Sequence, residues 1–291
     1  MNSWQYISKS ISQQTGSDFQ IDSHISVGGG CINEAYRVSN GKSEYFVKTN
    51  HLKHGDMFET EALSLKEMFD QNTVRVPEPV CYGQTDTITF LVLEYLPLTG
   101  RFDATLLGQQ LAAMHQVTQP QFGWQRDNTI GSTPQRNRLT SNWIEFWRQQ
   151  RLLPQLKLAQ KNGYGAALNP LMDKLLQNFD CLYDSYTPQP SLLHGDLWGG
   201  NASALADATP VIFDPALYYG DREADIAMTQ LFGGFPADFY SAYNDISPLD
   251  EGFAVRKTFY NLYHILNHLN LFGEGYLNQA ISMAERVLAE I

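Results

Sequence analysis

The chain of 291 residues is long enough for one large domain or two lobes around a proper core. Its 43% hydrophobic and 18% charged content excludes a disordered or low-complexity protein. A net charge of -11 argues against nucleic-acid binding, which leans on Lys and Arg facing phosphates, and suits either plain solubility or a cationic substrate.

The first twenty residues carry an amphipathic pattern (Trp4, Ile7, Ile11) that predicts a small leading helix. From Ile25 the pattern changes to alternation of apolar and polar residues, broken by Gly28, Gly29 and Gly30 and by the turn pair Asn40-Gly41. This predicts three antiparallel strands, with Lys48 on the third after Tyr45, Phe46 and Val47. The segment MFETEALSLKEMF reads as a helix, with Phe58, Ala62, Leu65 and Phe69 on one stripe. Glu61 shares that stripe and Glu59 does not. A carboxylate on a buried face needs a cation, and Lys48 on the neighbouring strand is the natural one.

After Val76-Pro-Glu-Pro, strands are expected around Val80–Tyr82 and Thr87–Glu94. Beyond Glu94, Tyr95 and Leu96 helices dominate: Ala104–Val117, Ser141–Leu153, Leu171–Tyr183, Glu223–Phe232 and Val255–Leu271. The order implies an α+β protein of two lobes, residues 1–96 strand-rich and residues 97–291 helix-rich, without an internal repeat. Trp143, Phe146, Trp147 and His115 read as core. The polar loop Phe122–Asn137, with Trp124, fits either a substrate-lining loop or a plain surface connection.

The stretch SLLHGDLWGGNASALADATPVIFDP (Ser191–Pro215) carries the chemistry. Asn201 lies five residues after Asp196, the spacing of the catalytic Asp and metal-binding Asn in a protein-kinase catalytic loop. His194 precedes the Asp by two, and Asp214 closes a second apolar strand where such a chain keeps its other metal-binding carboxylate. Asp196 is the candidate to orient an acceptor hydroxyl and take its proton. Asn201 and Asp214 offer the oxygen ligands that Mg²⁺ prefers. His194 reads as a residue that positions the backbone.

Each residue alone has a structural reading: a turn aspartate, a strand-end lysine, an ordinary glycine turn. The ordered set of Lys48, Glu61, Asp196, Asn201 and Asp214 is far harder to obtain by chance, and it points to phosphoryl transfer from ATP. Backbone amides at Gly28, Gly29 and Gly30 are free of side chains and suited to approach phosphates. Trp198 fits either a stacking surface for a sugar or core packing. Cys31 follows the glycines and is either a reactive thiol or a small turn residue. Cys31, Cys81 and Cys181 show neither a metal-ligand spacing nor an even disulfide set.

The segments LLHGDLWGGN, FDPALYYGDREADIAM and FGGFP, with GGGCINEAYRV, FVKTN, MFETEALSL, VPEP, LVLEYL, DNTIGSTPQ and NLYHILNHLNLFG, resemble the fructosamine kinase (ketosamine-3-kinase) family over nearly the whole chain. The resemblance implies a protein-kinase-like fold and ATP-dependent phosphorylation of a ketosamine at its sugar 3-hydroxyl, which makes the adduct unstable and releases the amine. It also implies Asp196 as proton acceptor, Asn201 and Asp214 as Mg²⁺ ligands, Lys48 with Glu61 as phosphate clamp, and Glu94, Tyr95 and Leu96 as the adenine hinge. Asp221 and Glu223 are expected to meet the substrate amine beside Trp198. Family members commonly read HGDLWSGN, whereas Gly199 stands at the serine position here, which bears only on loop rigidity. Some relatives carry a redox-sensitive cysteine in the Gly-rich loop, so either a monomer or a homodimer linked through Cys31 is expected. The rivals are a kinase for another cationic metabolite, such as choline or an aminoglycoside, and a nucleotide-binding module without catalysis. The start of the chain lacks a basic segment with an apolar core, and no apolar run reaches spanning length, so a cytoplasmic protein without membrane or nucleic-acid partners is expected.

Overall fold

The computed structural model describes residues 2–28, 33–52 and 55–291. The chain divides into two compact units, Met1–Asp103 with Ala202–Pro215, and Ala104–Asn201 with Ala216–Ile291.

The first unit is built on a five-stranded antiparallel sheet. Its strands are β1 (Ser23–Ser26), β2 (Glu34–Ser39), β3 (Glu44–His51), β4 (Pro79–Gln84) and β5 (Ile88–Glu94), in the order β1-β2-β3-β5-β4. Helix α1 (Ser3–Thr15) starts at Asn2, whose side chain accepts from the Gln5 N–H while the Gln5 side chain returns to the Asn2 N–H. This reciprocal cap satisfies two of the N–H groups that a helix start leaves without partners. Ile7 and Ile11 then face the sheet and pack with Phe19, Val38, Val47, Phe90 and Val92. Each such side chain contributes about 1.5–3 kcal/mol when fully buried. Helix α2 (Gly55–Gln71) buries Phe58, Ala62 and Leu65 of the expected stripe, while Phe69 is only partly buried and Met68 is buried beside it.

A late hairpin, Ala202–Ala204 paired with Pro210–Ile212, belongs to this unit. Backbone bonds attach it: Thr99 N–H to Ala204 O at 2.7 Å, Asp103 N–H to Ala208 O at 3.0 Å, and Ile212 N–H to Arg75 O at 3.0 Å. The hairpin carries Asp214 at its end, and that is its use to the site.

The second unit is mainly helical. Its helices are α3 (Ala104–His115), α4 (Trp143–Phe146), α5 (Leu153–Lys161), α6 (Gly165–Asn178), α7 (Glu223–Thr229), α8 (Ala237–Ile246), α9 (Phe253–Phe272) and α10 (Leu277–Leu288). A π-helical turn, Trp147–Leu152, joins α4 to α5, so the segment expected to end at Leu153 runs on to Lys161. Trp143, Phe146 and Trp147 are buried, and the Trp143 Nε1–H donates to the hydroxyls of Tyr183 and Tyr260 at 3.2 and 3.1 Å. Helix α9 buries eleven of its residues, from Arg256 to Leu269, and forms the spine of this unit. Among the described residues, no helix is long and apolar enough to cross a membrane.

Candidate active site

In the first unit, β3 and α2 set Lys48 and Glu61 face to face. Lys48 points off the middle of the sheet and is 6% exposed, and its Nζ lies 2.5 Å from Glu61 Oε1. The same ammonium pairs with Asp214 Oδ1. Burial pulls Lys48 towards the neutral form, but the Asp214 and Glu61 carboxylates overcome it and hold the ammonium above its ordinary pKa. Glu61 is pushed up by its own burial and by Asp214, against the pull of Lys48. Two carboxylates therefore share one buried cation. Asp214 has φ of 59°, a left-handed conformation that Asp and Asn tolerate better than most residues. Its side chain is 48% exposed, so one face of the carboxylate is open to a ligand.

Glu94 bonds through its carboxylate to Arg75 and accepts from the Glu78 N–H, so its side chain is engaged within the unit. Tyr95 lies under the Arg37 guanidinium, 4.8 Å from ring centroid to Cζ, and the Leu96 carbonyl accepts from the Leu98 N–H at 2.9 Å. Gly28 is exposed at the end of β1 with open space around it. Gly29, Gly30 and Cys31 lie outside the described residues.

In the second unit, the strand Ser191–Leu193 pairs with Tyr218–Gly220 and delivers the loop that follows. His194 is fully buried. Its backbone N–H donates to Asp225 Oδ2 at 2.7 Å, its carbonyl accepts from Ala216, and its Nδ1 accepts from the Asp196 N–H at 3.2 Å. Gly195 donates to Asp225 Oδ1 at 2.8 Å and has φ of 83°. A Cβ at this position would sit 2.1 Å from the Ala216 carbonyl oxygen, so only glycine fits. The Asp196 side chain emerges half-buried, and the Asn201 amide nitrogen donates to the Asp196 carbonyl at 2.9 Å and to its Oδ2 at 3.3 Å. With its nitrogen turned onto Asp196, the amide of Asn201 presents oxygen as its other polar end. Trp198 is 38% exposed, which removes the core-packing reading. Gly199 has nothing within 4 Å of a built Cβ, so the serine of the usual pattern would meet no obstacle.

Asp225, on α7, was not singled out from the sequence, yet it holds the whole loop. It accepts both successive N–H groups of His194 and Gly195, and its Oδ2 also meets His115 Nε2 at 3.2 Å. Burial pushes this carboxyl up, but His115, His194 and the Gly195 N–H outweigh it and keep Asp225 below its ordinary pKa. The available signal was a lone acid among Ala224, Ile226, Ala227 and Met228, the same logic that singled out Glu61. An Asp225→Asn exchange leaves a buried N–H facing an amide nitrogen. It is expected to cost about 1–3 kcal/mol of stability and to lower kcat by up to about a hundredfold through displacement of Asp196. Faster amide exchange at His194 and Gly195, measured alongside kcat, checks this.

Two expected substrate residues are corrected. Asp221 and Glu223 are fully buried. Asp221 accepts from Tyr186, Tyr260 and the Glu223 N–H, and Glu223 is clasped by Arg256 at 2.7 and 3.1 Å. Burial pushes the Glu223 carboxyl up to about 7 against the pull of Arg256. These acids hold α7 to α9 and are closed to a substrate amine. The loop Phe122–Asn137 is more than a plain surface connection, although Gln125–Asp127, Ser132, Pro134 and Arg136 are exposed along it. Phe122 and Trp124 are buried, and a hairpin, Asn128–Ile130 with Thr133–Gln135, uses Asn128 and Gln135 to cap the carbonyls of Leu217 and Ala216 at 2.8 and 3.0 Å. His115 is the packed residue expected, bonded to Tyr243 as well as Asp225.

Residues 3–290 match the family model described as fructosamine kinase. The chain belongs to the fructosamine kinase family. A Synechocystis protein described as a probable ketoamine kinase is 48% identical over 288 residues, covering 98% of this chain and 97% of that protein. A protein-ribulosamine 3-kinase from Arabidopsis thaliana, named as chloroplastic, is 43% identical over 277 residues, covering 94% of this chain and 85% of that protein. Among solved structures, a Haemophilus somnus protein described as a candidate fructosamine-3-kinase superposes with a TM-score of 0.89 at 29% identity, covering 98% of this chain and 97% of that one. The α+β, protein-kinase-like fold expected from the sequence is the fold of this fructosamine kinase family member.

Proposed function

We propose that the chain is an ATP:ketosamine 3-phosphotransferase, acting on the sugar 3-hydroxyl of ribulosamine or fructosamine adducts of amines, including protein lysines. The observation that carries this reading is the HGDLWGGN loop of a fructosamine kinase family member, held from beneath by Asp225 and carrying the half-buried Asp196. In this reading Asp196 orients the acceptor hydroxyl and receives its proton on a carboxylate oxygen. Lys48, aimed by Glu61, binds nucleotide phosphate oxygens, and the backbone of Glu94 to Leu96 receives the adenine. Trp198 offers its exposed ring to the C–H face of the sugar.

Asn201 and Asp214 would hold Mg²⁺. Each donor taken by itself suits that ion: the Asn201 amide oxygen and the half-exposed Asp214 carboxylate are hard oxygen ligands of the kind Mg²⁺ prefers. Mg·ATP supplies the phosphoryl group together with the cation that neutralises its charge. The residues themselves contribute position and charge, which carry most of the rate in this chemistry. Phosphorylation of the ketosamine makes the adduct labile, so the consequence is release of the unmodified amine, a deglycation repair.

ADP release with Mg·ATP and separate acceptors tests the reading. ADP formed with ribulosamine or fructosamine, and not with choline, an aminoglycoside or water, is the expected result. Turnover confined to choline or an aminoglycoside overturns the substrate class. Thermal stabilisation by ATP with no turnover on any acceptor overturns the enzyme reading.

A further inference from the structure

Every large aromatic side chain exposed on the second unit, among the described residues, falls on one line that starts at the catalytic loop. Trp198 meets Phe232 edge-on at 6.0 Å between ring centroids. Phe232 meets His268 at 5.0 Å, and His268 meets Phe272 at 5.4 Å and Tyr276 at 5.2 Å. Phe232 is 36% exposed and Phe272 57%.

The backbone builds this wall. Phe232 opens the FGGFP turn, in which Gly233 and Gly234 take left-handed φ of 102° and 77°, while Phe235 turns inward. His268 and Phe272 sit one turn apart on the last stretch of α9. Gly273 ends that helix, and the short 3₁₀ turn Glu274–Tyr276 brings Tyr276 back against both rings. His268 donates from Nδ1 to the His264 carbonyl at 2.8 Å, and burial holds its imidazole below the ordinary value, so it joins the wall as a neutral ring.

A run of contacting rings in which Trp198, Phe232 and Phe272 are exposed, with His268 and Tyr276 partly buried between and beside them, marks something that covers it. One sugar ring covers about one aromatic face, and Trp198 supplies that face. The rings beyond it are left for whatever the sugar is attached to. In a ketosamine that is a secondary amine, cationic near neutral pH and attracted to ring faces, followed by the hydrocarbon stem of its carrier. The exposed carboxylate of Glu274, between Phe272 and Tyr276 in the chain, and the net charge of -11 favour a cationic carrier. Resting on the function proposed above, we infer that the wall from Trp198 through Phe232, His268 and Phe272 to Tyr276 is a subsite for a basic polypeptide segment carrying the modified lysine.

The test compares ribulosamine on N-acetyl-lysine with ribulosamine on one lysine of a short basic peptide, using wild type, Phe232→Ala and Phe272→Ala. The expected result is a roughly tenfold fall in the ratio of kcat/KM for peptide over small acceptor in each variant, carried by KM, with unchanged thermal midpoints. Equal losses on the two acceptors, or no loss on either, overturn the inference while leaving the ketosamine reading standing. So does a wild-type dimer that Phe272→Ala dissociates without changing the ratio, because the wall is then a self-interface. Absence of wild-type turnover on both acceptors overturns the ketosamine reading, and the subsite with it.

Discussion

Asp196→Asn is expected to lower kcat by about two to four orders of magnitude, the usual contribution of a positioned general base. The side chain is half-buried, and the Asn201 amide nitrogen that donates to it at 3.3 Å finds an oxygen in Asn as well as in Asp. The exchange therefore keeps the hydrogen bond from Asn201 and removes the proton acceptor. The backbone beneath is fixed by the His194 and Gly195 N–H groups on Asp225. Thermal midpoint and ATP affinity should stay close to wild type, and steady-state kinetics with a thermal melt check both halves. A comparable loss of stability would assign Asp196 a structural role instead.

The second large effect separates the two carboxylates around Lys48. Glu61 is nearly closed to solvent and faces a buried ammonium, whereas Asp214 is 48% exposed. Glu61→Ala removes one partner of a buried pair and is expected to cost about 3–5 kcal/mol of stability together with activity. Asp214→Asn keeps a residue suited to the left-handed backbone at this position and removes a half-exposed charge while leaving Glu61 to neutralise the buried Lys48. Its stability cost should stay within about 1 kcal/mol, while activity falls at least about a hundredfold through loss of the proposed metal ligand. Denaturant melts paired with ADP release distinguish the variants. Equal destabilisation would place Asp214 with the scaffold.

The sequence was most legible where local periodicity met a chemical conflict. Glu61 on the apolar stripe of α2 demanded a cation, and Lys48 is 2.5 Å away. That Asp214 also reaches Lys48 depends on the late hairpin joining the first unit through Thr99, Asp103 and Arg75, backbone bonds that no local pattern encodes. The YYGDRE stretch misled for a physical reason. Charged residues after a strand usually face water, but Pro215 to Thr229 are buried apart from Arg222, because Arg256, Tyr186 and Tyr260 from distant segments, with the local Glu223 N–H, compensate the acids. Helices α8 and α10 went unread, as did the Asn128–Gln135 hairpin, whose polar side chains make it look like surface while they cap buried carbonyls. The aromatic wall is invisible in sequence because its rings come from three segments, at residues 198, 232 and 268–276, that meet only in the fold.

Phosphorus NMR of the product formed from Mg·ATP and a ribulosamine tests the central claim most directly. The account predicts one new phosphomonoester coupled to the proton on sugar carbon 3, equimolar with ADP in wild type and missing with Asp196→Asn. Phosphate on another hydroxyl, or ADP accompanied only by inorganic phosphate, would contradict it.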